Sequence, residues 1–176
     1  MVARACRFNL YLVVAAFCLA AGCVGPDHTR KRQVTTLGVY LETSTRTASH
    51  SQSISVFRNN PIQITVEAKP FVTEAFVSQA NVITVMDGFA ISIQFEHRGL
   101  LLLEQYSAGN RGRKFAVHAD WGKKLAESRW LAAPLIQSRI ANGVLTFTPD
   151  CTREEADEIV LGLNNVAKKV QEKSEW

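Results

Sequence analysis

A histidine and a carboxylate two positions apart on a strand share a face, and this chain carries one such pair in His118-Ala119-Asp120. An aspartate so placed can orient an imidazole for general-base work, so a hydrolase reading would start from His118 and Asp120. Acyl transfer also needs a nucleophile beside the imidazole, and no serine or cysteine is evidently paired with them in sequence. The competing role for the pair is a solvent-facing strand edge. Glu154 and Glu155 offer two more carboxylates, but successive helical positions do not face each other, so capping and dipole complementation account for them. His28, His50, His97 and His118 are scattered without metal-ligand spacing, and the glycines form no phosphate-cradling loop. No metal, cofactor or enzymatic activity is therefore expected. Cys151 follows Pro149-Asp150 at a helix start, a setting for a structural thiol. The residues with interaction chemistry are apolar: Trp121, Trp130, Leu131, Pro134 and Leu135. Aromatics on an extended loop are frequent interface anchors, which makes these five the expected partner-binding residues. The alternative is that the two tryptophans close the edge of a small core.

Strand and helix periods alternate along the chain from Val34 onward. Leu37, Val39 and Leu41 alternate with polar or small neighbours, and Ile62, Ile64 and Val66 alternate with Gln63, Thr65 and Glu67. Each set puts one face in a core and the other in water. Thr43 to Ser53, rich in Ser and Thr, reads as a loop. Thr73 to Ala80 reads as a short helix capped by Thr73. Val82 to Met86 and Ala90 to Phe95 are strands joined across Asp87-Gly88, a strong hairpin signal. Leu100 to Tyr106 reads as a helix ending near Gly109 and Asn110, and Lys114 to Asp120 as a strand turned by Trp121-Gly122. Pro134 argues against a central strand within Leu125 to Ile136. Val144 to Thr148 is a short strand. Thr152 and Glu155 form a capping box that opens a helix with an apolar stripe over Ala156, Ile159, Val160, Leu163, Val166, Ala167 and Val170. Hairpins and helices without regular βαβ alternation predict an α+β domain with a mixed or antiparallel sheet and helices on one face.

The first 22 residues differ from the rest. Arg4 and Arg7 precede an apolar run of twelve residues, Leu10 to Ala21, too short for a spanning helix of roughly 20 but suited to a signal-peptide core. Leu19-Ala20-Ala21-Gly22-Cys23 closes it and resembles the bacterial lipobox. The resemblance implies cleavage after Gly22, lipid on Cys23, and residues 1–22 as a lipoprotein signal peptide. Ala20 stands where the lipobox prefers leucine. The alternative is an ordinary signal peptide followed by a chance cysteine. More than one acyl chain gives a firm anchor. Val24 in place of aspartate would permit sorting to the outer membrane, so either the inner or the outer membrane is open, with the domain facing the periplasm. Residues 23–33 then form a linker with the basic string Arg30-Lys31-Arg32, and 34–176 form the domain. Cys6 and Cys18 leave with the signal, so Cys151 is the sole thiol left for the mature chain. The net charge of +4 includes Arg4 and Arg7. Without them 18 basic residues face 16 acidic ones, a balance that demands no nucleic-acid partner.

A family resemblance runs from about Val77 to Val166. It rests on Asn110-Arg111-Gly112-Arg113-Lys114-Phe115-Ala116-Val117, then Asp120, Ala133-Pro134-Leu135-Ile136, Gly143, and Thr152-Arg153-Glu154-Glu155-Ala156. In order and approximate spacing this resembles the first periplasmic head subdomain of SecD and SecDF, membrane proteins that assist preprotein translocation. The resemblance implies a head-like fold with a ferredoxin-like arrangement of hairpins and helices. It also implies contact with Sec translocon components, an exported polypeptide or another envelope protein. Two local departures stand out. The stretch from Asp120 to Ala133 is longer than the family's tight turn, and Phe147-Thr148-Pro149-Asp150 replaces a glycine-containing approach to the last helix. The sequence carries no counterpart of the family's proton-conducting membrane residues. The expected role is a lipid-anchored, non-enzymatic protein- or peptide-binding module of the envelope, with a structural cell-wall-associated lipoprotein as the alternative.

Overall fold

Alternating burial along short strands is the origin of most of this fold. The computed structural model describes residues 33–44 and 50–174. The signal segment, Cys23 and the string Arg30-Lys31-Arg32 lie outside the described residues. The elements are β1 (Thr36–Leu41), β2 (Ser51–Val56), β3 (Ile62–Glu67), β4 (Val72–Thr73), β5 (Val77–Val85), β6 (Gly88–Phe95), α1 (His97–Gly109), β7 (Phe115–Trp121), β8 (Glu127–Ala132), β9 (Val144–Phe147) and α2 (Arg153–Ser174). All strand pairs are antiparallel, and the class is α+β. The strands divide among three sheets: four strands in the order β4–β1–β7–β8, three in the order β5–β6–β9, and the hairpin β2–β3.

The division follows from which faces are apolar. Leu37, Val39 and Leu41 of β1 and Phe115, Val117, Ala119 and Trp121 of β7 point to one side of the four-stranded sheet. There they meet Ile91, Ile93, Leu145 and Phe147 of the three-stranded sheet and Ala156, Ile159 and Leu163 of α2 in the main core. The opposite face of the four-stranded sheet carries Tyr40, Ala116 and Trp130, and these meet Ile54, Val56, Ile64 and Val66 of the β2–β3 hairpin in a second core. Strands with inward residues on both sides need two covers, which a single sheet with helices on one face does not supply.

Two local expectations are corrected. Thr73 to Ala80 is not a helix. Val72–Thr73 form β4, Glu74–Phe76 make a single 3-10 turn in which the Thr73 side chain makes no cap bond, and β5 begins at Val77. Pairing of β5 with β6 along its length outweighs weak local helix propensity. The Ser/Thr-rich stretch is not all loop, because Ser51 to Ser53 open β2, where Ser53 and Ser55 lie on the exposed face opposite Ile54 and Val56. Residues 45–49 of that stretch lie outside the described residues. Leu125 to Ile136 contains no central strand: β8 lies at the sheet edge and stops at Ala132, two residues before Pro134.

Helix α2 is fixed at both ends of its contact. Glu155 N–H donates to Thr152 Oγ1 at 3.2 Å and Thr152 N–H to Glu155 Oε2 at 2.8 Å, which is the capping box. Further along, the Asn164 amide stands in for a strand residue at the β5 edge. Its Oδ1 accepts from Ala80 N–H at 2.8 Å and its Nδ2 donates to the Ala80 carbonyl at 2.9 Å.

Candidate functional site

Three neighbouring strands bring the sequence's chemical pair together with partners that the sequence did not name. Asp120 sits opposite Thr36 on β1 and Ser128 on β8, and His118 sits opposite Trp130. Thr36 Oγ1 and Ser128 Oγ each donate to one carboxylate oxygen of Asp120, both at 2.6 Å. Ser128 Oγ also lies 3.2 Å from His118 Nε2, and His118 rests edge-on against Trp130, with ring centroids 4.8 Å apart. Trp130 meets Tyr40 in the same way at 4.9 Å. A continuous file of side chains thus crosses the outer face of the sheet.

Its polarity decides what it can do. The Ser128 hydroxyl proton is committed to Asp120, so the bond between Ser128 and His118 requires Nε2 to carry a proton and donate it. An imidazole in that tautomer cannot take the serine proton. The Asp120 carboxylate also approaches the same ring nitrogen, Nε2, at 3.9 Å, whereas an acyl-transfer triad places the carboxylate on Nδ1 and the serine on Nε2. The set is a polar brace across β1, β7 and β8 and does not have the geometry of a hydrolytic triad. Burial pushes the His118 pKa down, with Asp120 opposing it. Burial alone would raise Asp120, but the bonds from Ser128 and Thr36 and the nearby imidazole hold it below its usual value. Tyr40 is raised by burial and by the Asp120 charge.

The five apolar candidates separate. Trp121 is 1% exposed and Leu131 fully buried, both in the main core, so the expectation of an exposed aromatic loop is corrected for them. Trp121 is the last inward residue of β7, where Arg129 covers its ring at 5.1 Å. Gly122, with φ +80°, makes the turn that allows this inward position. Trp130 is half-buried in the second core. Pro134 and Leu135 lie beyond the end of β8 on the wall of a surface groove of about 270 Å³, together with Ile136, Ile140, Val144 and Thr146. Leu135 is 52% exposed. The wall is stiff because the Pro134 carbonyl accepts from Phe115 N–H at 3.0 Å and Ile136 N–H donates to the Arg113 carbonyl at 2.8 Å. A proline with no N–H to lose is well placed there.

Cys151 is half-buried, and burial followed by Glu155 pushes its pKa up to about 12, so at neutral pH it is a thiol with little nucleophilic character. Glu155 does more than cap. It takes Arg129 in a two-pronged pair at 3.1 and 3.2 Å, and that bond holds its pKa low against the effect of burial. Ser128 and Arg129 were missed in sequence because β8 itself was not recognised, and Thr36 because its contact with Asp120 exists only once β1 pairs with β7. Cross-strand registry sets the Thr36 and Ser128 contacts and strand-to-helix packing sets that of Arg129, and neither leaves a local signal.

The model of the SecDF P1 head subdomain matches residues 48–167. The chain belongs to this family. The match begins ahead of the resemblance read from Val77 and takes in the β2–β3 hairpin. Two solved structures agree in fold. One, described as a membrane component SecDF that enhances protein export, shares 17% identity and superposes with a TM-score of 0.56 over 82% of this chain and 70% of that one. SecDF in its super-membrane-facing form gives 16% identity and a TM-score of 0.55 over 81% of this chain and 21% of that one. No curated protein matches the chain. Among the described residues no helix of this head is long and apolar enough to cross a membrane.

Proposed function

We propose that the chain is a lipid-anchored, non-enzymatic binding module of the bacterial envelope that assists protein export. The observation that carries this reading is the SecDF P1 head family match over residues 48–167. The fold likeness to a membrane component that enhances protein export supports the same role. The lipobox-like run ending in Cys23 supplies a membrane attachment of its own, so the head would face the periplasm from a lipid anchor. The groove walled by Pro134 and Leu135 is the candidate contact surface, with a Sec component or an exported polypeptide as the partner.

The test is photocrosslinking in living cells, with the probe at Leu135, the exposed residue of the groove wall, in full-length protein. Labelling with a fatty-acid analogue, in wild type and in Cys23→Ser, is read in parallel. Adducts with Sec components or exporting polypeptides, and label lost in Cys23→Ser, are expected. Adducts with only cell-wall or unrelated envelope proteins, or none above background, would overturn the export role. Label retained in Cys23→Ser would overturn the anchor.

A further inference from the structure

The three-stranded sheet ends at β9, and that edge is chemically open. Phe95 N–H donates to the Gly143 carbonyl at 2.9 Å, and hydrogen-bonded pairs of this kind recur at every second position of an antiparallel ladder. Leu145 and Phe147 therefore direct their backbone groups at Ile93 and Ile91 of β6, while Val144 and Thr146 direct theirs away from the sheet. The Asn142 side chain takes Val144 N–H at 3.1 Å. The Val144 carbonyl and both backbone groups of Thr146 have no protein partner among the described residues.

These three groups border the groove whose opposite wall carries Leu135, Ile136 and Ile140. The groove lining contains no charged residue. Beside it, Gly112 N–H donates to the Ile136 carbonyl, and on either side of that glycine Arg111 and Arg113 are exposed. Neither guanidinium forms an ion pair among the described residues. An edge of alternating unpaired donors and acceptors is matched by another extended backbone, whereas a helix keeps its own backbone groups occupied. The apolar wall selects uncharged side chains on such a strand, and the two arginines favour a carboxylate at the end nearest them.

We propose that β9 is a strand-addition site. An extended, uncharged polypeptide segment with an acidic residue at the Arg111–Arg113 end joins the sheet as a fourth strand beside β9. Its backbone meets Val144 and Thr146, and alternate side chains face Leu135 and Ile140. Main-chain bonds of this kind give affinity with little sequence demand, and the wall adds the selection. The inference rests on the polypeptide-binding reading above and adds the mode of binding.

The probe is a fluorescein-labelled peptide of alternating valine and threonine closed by two aspartates, titrated by anisotropy against the purified full chain. Thr146→Pro removes an outward N–H and leaves the β6–β9 ladder intact, at an edge position where proline is tolerated. It should weaken binding about tenfold. Alanine at both Arg111 and Arg113 should weaken binding at low salt, with the difference closing as salt screens the charges. The same peptide N-methylated at every internal amide tests the point without altering the protein, and should bind at least about tenfold more weakly. Failure of the unmodified peptide to bind, equal affinity for the N-methylated peptide, or wild-type affinity in folded Thr146→Pro would each overturn strand addition. Polypeptide adducts at Leu135 in cells alongside any of these results would leave the export reading standing and remove the strand mechanism alone.

Discussion

A carboxylate on the outer face of a sheet ordinarily loses little by protonation, but Asp120 would lose two short hydrogen bonds, from Thr36 and Ser128. His118 beside it is held neutral by burial against the edge of Trp130. Both groups therefore titrate lower in the fold than in the unfolded chain. For such groups the folded state binds fewer protons over the interval between the two pKa values, so stability is full above the unfolded value and is lost as pH falls. The loss begins below the ordinary imidazole value of 6.5 for His118 and the ordinary carboxylate value of 3.8 for Asp120. His118→Gln keeps a polar side chain and removes the first titration. The thermal midpoint of the wild type should fall more than that of His118→Gln between about pH 7 and about pH 5. Parallel slopes would mean that His118 titrates alike in both states. The His118–Asp120 pair was legible in sequence because period-two alternation needs only its own strand. Ser128 was not, because its place depends on a register shift between Val117 and His118 that puts one extra residue into β8.

At the scale of the element, α2 shows both what a sequence declares and what it conceals. Its capping box and apolar stripe were readable, since both depend on spacing within one helix. Its closest approach to the rest of the protein was not. Gly162 faces Thr35, and a methyl group built there would lie 2.1 Å from Thr35 Oγ1 and 2.8 Å from the Thr35 backbone nitrogen. Glycine inside a helix costs roughly 1 kcal/mol relative to alanine, so in an isolated α2 the change Gly162→Ala would be favourable. In the folded protein the added carbon must displace backbone, an overpacking cost of about 1–3 kcal/mol. Gly162→Ala should therefore destabilise the protein by up to about 2 kcal/mol net in urea unfolding, even though the same substitution should raise helicity in an α2 peptide. A stabilised protein would mean that α2 and β1 yield without cost. The same contest between local preference and packing explains Thr73 to Ala80, where a helical reading lost to nine residues of β5 paired along β6.

Across the whole molecule, the antiparallel α+β class and the family were legible because they rest on many weak local signals in a fixed order. The presence of two cores was not, since nothing in β2 or β3 alone says which surface their apolar faces will cover. The β2–β3 hairpin is held by the second core, by backbone pairing of Glu42 and Thr43 with Val66 and Thr65, and by a polar clamp at its turn. There Asp150 Oδ2 accepts from Arg58 N–H at 2.7 Å, and the Arg58 guanidinium Nε lies 3.3 Å from both carboxylate oxygens. A two-stranded hairpin is marginal by itself, so this one owes its order to those attachments and should open as a unit of lower stability than the main core. Asp150→Ala removes the acceptor for the Arg58 N–H and the partner of its guanidinium, whereas Arg58→Ala removes only the exposed ion pair, which is worth little. In native-state hydrogen exchange, Asp150→Ala should lower protection of the β2 and β3 amides by about tenfold, with a smaller change in β6 and β7 and almost none anywhere in Arg58→Ala. A uniform loss across all four strands would mean that the hairpin and the main core unfold together, and the second core would then be part of a single cooperative structure.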